Sequence, residues 1–137
     1  MTAYLESLTP EAEVSVGGER IELTIFPYRV GRESRLVASA DGMKLMERRK
    51  TSASPSNELY LIDEGRPLTV SRAHFQIERS AEGYVMRDRG SALGTYVGGT
   101  RIGGRDMGGA CQLVSGDVIV AGTSESPFAF RFLELAE

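Results

Sequence analysis

Three short fragments of this chain carry side chains suited to holding an anion. The first, 30-VGRES-34, sets Arg32 directly after a glycine, where a strand would give way to a loop. A guanidinium is a planar fork of N–H donors that matches a phosphate two bonds at a time. Ser34 adds a hydroxyl to the same fragment. The second, 70-VSRAHF-75, offers the Ser71 hydroxyl, which can donate one hydrogen bond to an oxyanion, and a second guanidinium on Arg72. The third, 88-DRGSALGTYVGG-99, reads as a tight, glycine-permitted turn with Ser91 and Thr95 as local hydrogen-bonding residues.

Enzyme signatures are missing. The sequence contains no GxSxG, GxxxxGK[ST] or GxGxxG. The glycine run from Gly94 to Gly109 lacks the lysine of a phosphate loop and opens no helix, so it reads as hairpin turns. His74, the one histidine, cannot build a histidine metal site, and Cys111, the one cysteine, excludes an internal disulfide and a cysteine-based zinc site. No metal or cofactor is expected. In an extended strand Ser71 and His74, three apart, would face opposite sides, which argues against a nucleophile–base pair. The chain reads as a binding module rather than an enzyme.

The elements that must position these groups are short strands. Residues 12–16 and 20–25 alternate on either side of Gly17-Gly18, a hairpin pattern with Ile21, Leu23 and Ile25 on one face. Further strand candidates are 58–62, 73–79, 83–88, 95–97, 111–114, 117–121 and 128–134. Phe128, Phe130 and Phe132 share a face at period two and read as core, and Cys111 reads as packing. Eight of the 16 glycines fall between Gly90 and Gly109, as turns between strands require. The class is all-β, a sandwich or barrel.

Composition agrees with one domain over 1–137. The 137 residues suffice for a core, and 41% hydrophobic with 26% charged residues is ordinary for a globular protein. The net charge of −3 gives no global basic field, so no nucleic-acid partner is expected and any anion site must be local. No apolar run approaches the ~20 residues of a membrane helix, and the first residues do not resemble a signal peptide. With its single cysteine the chain fits a cytoplasmic location, away from membranes.

Taken in order, the fragments resemble the forkhead-associated (FHA) domain family. The run is Gly31-Arg32, Ser71-Arg72-x-His74, Asp88, Ser91-x-x-Gly94-Thr95-x-Val97, then Leu113, Gly116-Asp117, Ile119 and Gly122. It spans about residues 20–134. The resemblance implies a β-sandwich of about eleven strands that binds phosphothreonine peptides through loops at one end. By position, it implies that Arg32 holds the phosphate, Ser71 hydrogen-bonds it and Arg72 flanks it. Gly31 permits the turn, Thr69 reads a neighbouring peptide residue, and His74 ties the loops together. Ser34 joins the binding set, and Ser91, Gly94 and Thr95 belong to the structural motif. The expected partner is a phosphothreonine-containing protein, the substrate of a Ser/Thr kinase.

Two features depart from the pattern. Where the family usually reads S-T-N-G-T, with an asparagine for the bound peptide's main chain, this chain has Ala92 and Leu93. Leu93 either packs inward or offers an apolar shelf, and the latter suits a phosphate-independent scaffold of the same fold. The second departure is an inserted loop, 35–56, which carries five basic and two acidic residues. In it Asp41 is placed to cap a short helix holding Met43 and Met46, followed by a flexible TSASPS linker. The loop is an inert insertion, a source of Arg48, Arg49 and Lys50 for a phosphorylated partner, or, through 48-RRKTS-52, a kinase substrate itself.

Overall fold

The structure, a computed structural model, describes residues 1–34 and 56–136, together with the backbone of 36–39 and 42–45. The chain opens with β1 (Thr2–Ser7), which buries Ala3 and Leu5 on alternate positions. This strand is not among the expected ones: its residues alternate, but no turn signal marks its start. Residues 12–16 are a correction. They form part of a short helix, α1 (Pro10–Val16), not a strand. Thr9 is its N-cap, accepting from the Ala12 amide at 3.2 Å, and Pro10 stands at the first helical position. Glu11 and Glu13 suit the positive N-terminal end, and Gly17 closes the helix with φ +85°. Those terminal signals outweigh a five-residue alternation.

β2 (Arg20–Glu22) is shorter than the expected 20–25 and pairs with β1. β3 (Tyr28–Arg32) ends on the first candidate arginine. Next come β4 (Leu36–Ser39) and β5 (Gly42–Leu45), an antiparallel pair. They correct the helix expected after Asp41. A glycine costs a helix about 1 kcal/mol and so short a helix is unstable without packing, whereas Gly42 is accommodated opposite Ser39 in the paired strands. The basic run 48–52 and the linker up to Pro55 lie outside the described residues.

The remaining strands follow the expected positions within a residue or two: β6 (Leu59–Leu61), β7 (Phe75–Ser80), β8 (Gly83–Asp88) and β9 (Thr95–Val97). After them come β10 (Thr100–Ile102), β11 (Gly109–Leu113), β12 (Val118–Ala121) and β13 (Ala129–Leu135). Among these eight, β10, a three-residue strand after a tight turn, is the one without an expected counterpart. Six strands form one sheet in the order β10-β9-β12-β13-β1-β2, and five form the other in the order β11-β8-β7-β3-β6. The fold is thus an eleven-stranded β-sandwich, with β4 and β5 as a separate two-stranded sheet.

The core lies between the sheets, as alternation demands. Leu5, Ile119, Phe130 and Phe132 of one sheet meet Val30, Leu61, Phe75, Ile77 and Met86 of the other, all fully buried. Phe128, just before β13, is buried too. Register then fixes where the loops gather. Val30 pairs with Phe75, Phe75 with Asp88, and Asp88 with Gly109, one row across the five-stranded sheet. In the facing sheet Ile102, Thr95 and Ala121 form the matching row. The segments just beyond those rows, including 31–34, 71–74, 89–94 and 103–108, therefore share one end of the sandwich.

Candidate functional site

At that end β3 runs unusually close to the 70–74 turn. A Cβ on Gly31 would lie 1.9 Å from the Arg72 carbonyl oxygen, so no other residue fits without moving backbone. The approach lets the Arg32 amide donate to the Ser71 carbonyl at 2.9 Å, while the Arg32 guanidinium donates to the Val70 carbonyl. Arg32 is thereby held across the turn that carries Ser71. On the other side of the turn, the Asn57 side-chain amide donates to the Arg72 carbonyl at 2.9 Å, and Arg89 donates to the Asn57 side-chain oxygen.

His74 joins this turn to the next loop. A backbone N–H can only donate and a carbonyl can only accept, which fixes the tautomer. Nδ1 accepts from the Ser71 amide at 2.9 Å, and Nε2–H donates to the Gly94 carbonyl at 2.7 Å. The ring is fully buried, and that burial is the main cause holding its pKa below the ordinary histidine value. Arg32 and Arg89 push the same way, while the Gly94 carbonyl and Asp88 oppose it. The expected separation of Ser71 and His74 rested on an extended strand. Residues 71–73 are a turn and β7 starts only at Phe75, so the two residues do meet, through backbone rather than as a nucleophile and base.

The 89–94 loop is built around Asp88. One carboxylate oxygen accepts from the Gly90 and Ser91 amides, at 3.0 and 2.9 Å; the other accepts from the Ser91 and Thr95 hydroxyls, at 2.6 and 2.8 Å. Ser91 Oγ in turn accepts from the Gly94 amide at 2.9 Å. Asp88, Ser91 and Thr95 are all buried. The loop closes on the turn where the Ala92 amide donates to Ser71 Oγ at 3.0 Å.

Of the predicted binding residues, Ser71 and Arg72 thus share one turn, and Arg32, at the end of β3, is bonded to it. Leu93, half-buried, sits on the facing loop beside Ala92. Thr69 is tied to Asp63, whose carboxylate accepts from the Thr69 amide at 2.7 Å and its hydroxyl at 3.3 Å. Ser34 is buried, at 2% exposure, and lies inside the fold rather than on the loop surface. Gly31, His74, Ser91, Gly94 and Thr95 form the frame beneath. Sequence reasoning missed Asp63, Asn57 and Arg89. Asp63 also accepts from the Gly65 and Val70 amides, at 2.9 and 3.0 Å, so one buried carboxylate shapes the approach to Ser71. The run Asp63-x-Gly65 before a proline was a readable turn signal; Asn57 and Arg89 carried none. Among the described residues, no group of three or more His, Cys, Asp or Glu side chains is placed to hold a metal.

The family model for the FHA domain matches residues 28–122. Solved structures agree in fold. One, from a structural and functional analysis of phosphothreonine-dependent FHA domain interactions, is 19% identical with a TM-score of 0.61, covering all of both chains. The FHA domain of an Arabidopsis thaliana hypothetical protein is 20% identical with a TM-score of 0.63, over 99% of this chain and 87% of that one. EmbR of Mycobacterium tuberculosis, in complex with a low-affinity phosphopeptide, is 22% identical with a TM-score of 0.58, over all of this chain and 25% of that one. Among curated proteins, no sequence matches the chain significantly.

Proposed function

The chain belongs to the FHA family, and from that premise we propose that it is a non-catalytic, phosphothreonine-reading adaptor in kinase-linked signalling in the cytoplasm. One observation carries the reading: Arg32 and Ser71 are locked to the same turn, through the 2.9 Å bond from the Arg32 amide to the Ser71 carbonyl. A phosphothreonine brings a charge of about −1.5 to −2 and three strong acceptor oxygens. Arg32 supplies charged N–H donors. Ser71 Oγ already accepts from the Ala92 amide, so its hydroxyl hydrogen is the part left to donate to a phosphate oxygen. Arg72, on the same turn, adds positive charge. The solved relative described as acting in phosphothreonine-dependent interactions, and the one described with a phosphopeptide, support the same reading.

Leu93 replaces the asparagine that would hold the peptide backbone, so Arg32, Ser71 and Arg72 carry a larger share of the affinity. Each charge-assisted hydrogen bond contributes about 1.5–3 kcal/mol. Fluorescence polarisation against a degenerate phosphothreonine library tests this. Binding is expected to need the phosphate, and Arg32→Ala is expected to weaken it at least tenfold. Binding that is indifferent to both phosphate and Arg32, yet lost in Leu93→Ala, would replace the adaptor reading with that of a phosphate-independent scaffold.

A further inference from the structure

Beside the 89–94 loop lies a second basic feature. The 103–108 loop follows β10 and packs on it, with the Arg105 amide donating to the Ala92 carbonyl at 2.8 Å and the Asp106 amide donating to the Ser91 carbonyl at 3.0 Å. Arg105 and Asp106 both take left-handed backbone, with φ of +55° and +62°, which is uncommon for residues with side chains. Arg101, at the middle of β10, lies along bare backbone. A Cβ on Gly104 would come within 2.2 Å of its Nη2, and one on Gly94 within 3.0 Å of its Nε. Together Arg101, Gly103, Gly104, Arg105, Met107 and Gly108 line a groove of about 350 Å³.

Three properties suit this groove to an anion. Both arginines are exposed, and neither forms an ion pair or side-chain hydrogen bond with another described residue. Asp106 is the one carboxylate within the loop, against two guanidinium groups. The groove also adjoins the first site. Only Ala92 stands between Ser71 Oγ and the Arg105 amide, which puts them within about 10 Å, the span of roughly three residues of extended peptide.

We propose that Arg101 and Arg105 form a second anion subsite, taking a further phosphate or carboxylate group carried by the same partner peptide a few residues from its phosphothreonine. The proposal rests on the phosphothreonine reading above and narrows the partner to multiply phosphorylated or acidic segments. Met107, with 79% of its surface exposed, supplies an apolar edge for the peptide between the two anions.

The test compares three peptides that share one phosphothreonine: one with neutral flanks, one with a glutamate and one with a second phosphothreonine placed two to four residues away on either side. They are titrated into the wild type, Arg32→Ala and the double variant Arg101→Gln/Arg105→Asn. Asparagine accepts left-handed backbone, so the turn survives. In the wild type the second anion is expected to tighten binding about five- to tenfold, more for phosphate than for carboxylate. The double variant should lose that gain while binding the neutral-flanked peptide unchanged. No gain in the wild type, or a gain that survives in the double variant, overturns the subsite.

If the wild type binds no phosphothreonine peptide, the adaptor reading fails by itself. The subsite is then judged by NMR titration with inorganic phosphate. Shifts of the Arg105, Met107 and Gly108 amides that vanish in the double variant uphold it, and their absence overturns it.

Discussion

The two ends of the sandwich use the same residue types for different purposes. At the far end, the tight turn at Gly98-Gly99 and the one containing Gly116 have positive φ, and a Cβ on any of these glycines would meet nothing within 4 Å. Asp117 there takes one amide, that of Val114, at an exposed turn. At the end that carries the candidate site, Gly31, Gly103 and Gly122 press against the Arg72 carbonyl, the Asp88 carboxylate and the Thr69 carbonyl. Asp88 takes four donors while buried. Glycine and aspartate that merely reverse the chain at one end hold separate loops in fixed relation at the other. The fixed relation between these loops comes from this packing, not from turn propensity.

Aspartate gives the widest expected contrast. Asp88→Ala leaves two hydroxyls and two amides without their acceptor in a buried setting, a loss of about 3–5 kcal/mol. The melting temperature should fall by roughly 10–20 °C for a domain of this size. Asp117→Ala removes one exposed bond and should cost under about 1 kcal/mol. Thermal unfolding of both variants, followed by circular dichroism, measures the difference, and equal losses would dissolve the distinction between the ends.

Gly31→Ala comes next. Its Cβ would stand 1.9 Å from a backbone oxygen, so β3 or the 70–74 turn must shift, at a cost of about 3 kcal/mol. The shift would also break the register of Arg32 with Ser71. Urea unfolding should show the lower midpoint, and phosphopeptide binding should drop even where the variant is folded. Retained affinity would mean that Arg32 does not depend on this approach.

These contrasts also mark what was readable in the residues themselves. The fold class was legible because most strands alternate and glycines separate them. The frame of the site was legible because Gly31-Arg32, Ser71-x-x-His74 and Ser91-x-x-Gly94-Thr95 are local motifs. What escaped depends on distant partners. Asn57 owes its place to the Arg72 carbonyl and to Arg89, 15 and 32 residues away. The exposure of Arg101 beside Gly94 follows from how the 103–108 loop packs on 91–92, which no local pattern specifies. The helix at 10–16 escaped for another reason: its cap, proline and acidic first turn compete with a period-two pattern carried by the same residues.

Histidine 74 supplies a pH-dependent contrast. It is buried, its folded pKa lies below the ordinary value of 6.5, and its Nδ1 must stay unprotonated to accept from the Ser71 amide. Below about pH 6.5 the unfolded chain therefore binds a proton that the folded chain does not. The stability His74 contributes is complete above that pH and declines below it, by up to about 1.4 kcal/mol per pH unit. Urea midpoints of the ligand-free protein between pH 5.5 and 7 should show the decline. His74→Gln, which cannot titrate, should flatten it. Without ligand, the phosphate's own titration near pH 6 does not interfere. A flat wild-type profile would mean that the ring is protonated in place and the two loops are joined differently.

The smallest expected effect tests the opposite end. Gly98 has φ +58°, and its turn joins Val97 to Thr100, which pair across the β9–β10 hairpin. Asparagine tolerates that backbone, and a Cβ there meets only open space. Gly98→Asn also narrows the unfolded ensemble, which offsets residual strain, so stability should change by no more than about 0.5 kcal/mol in urea unfolding. Phosphopeptide affinity should not move. Gly31 has no left-handed φ, so its demand for glycine is one of space alone; Gly98 has space on every side, so its demand is one of conformation alone. If Gly98→Asn cost as much as Gly31→Ala, the hairpin end would be as tightly determined as the opposite one, and the concentration of close packing around Arg32 and Ser71 would no longer single out that end as the candidate site.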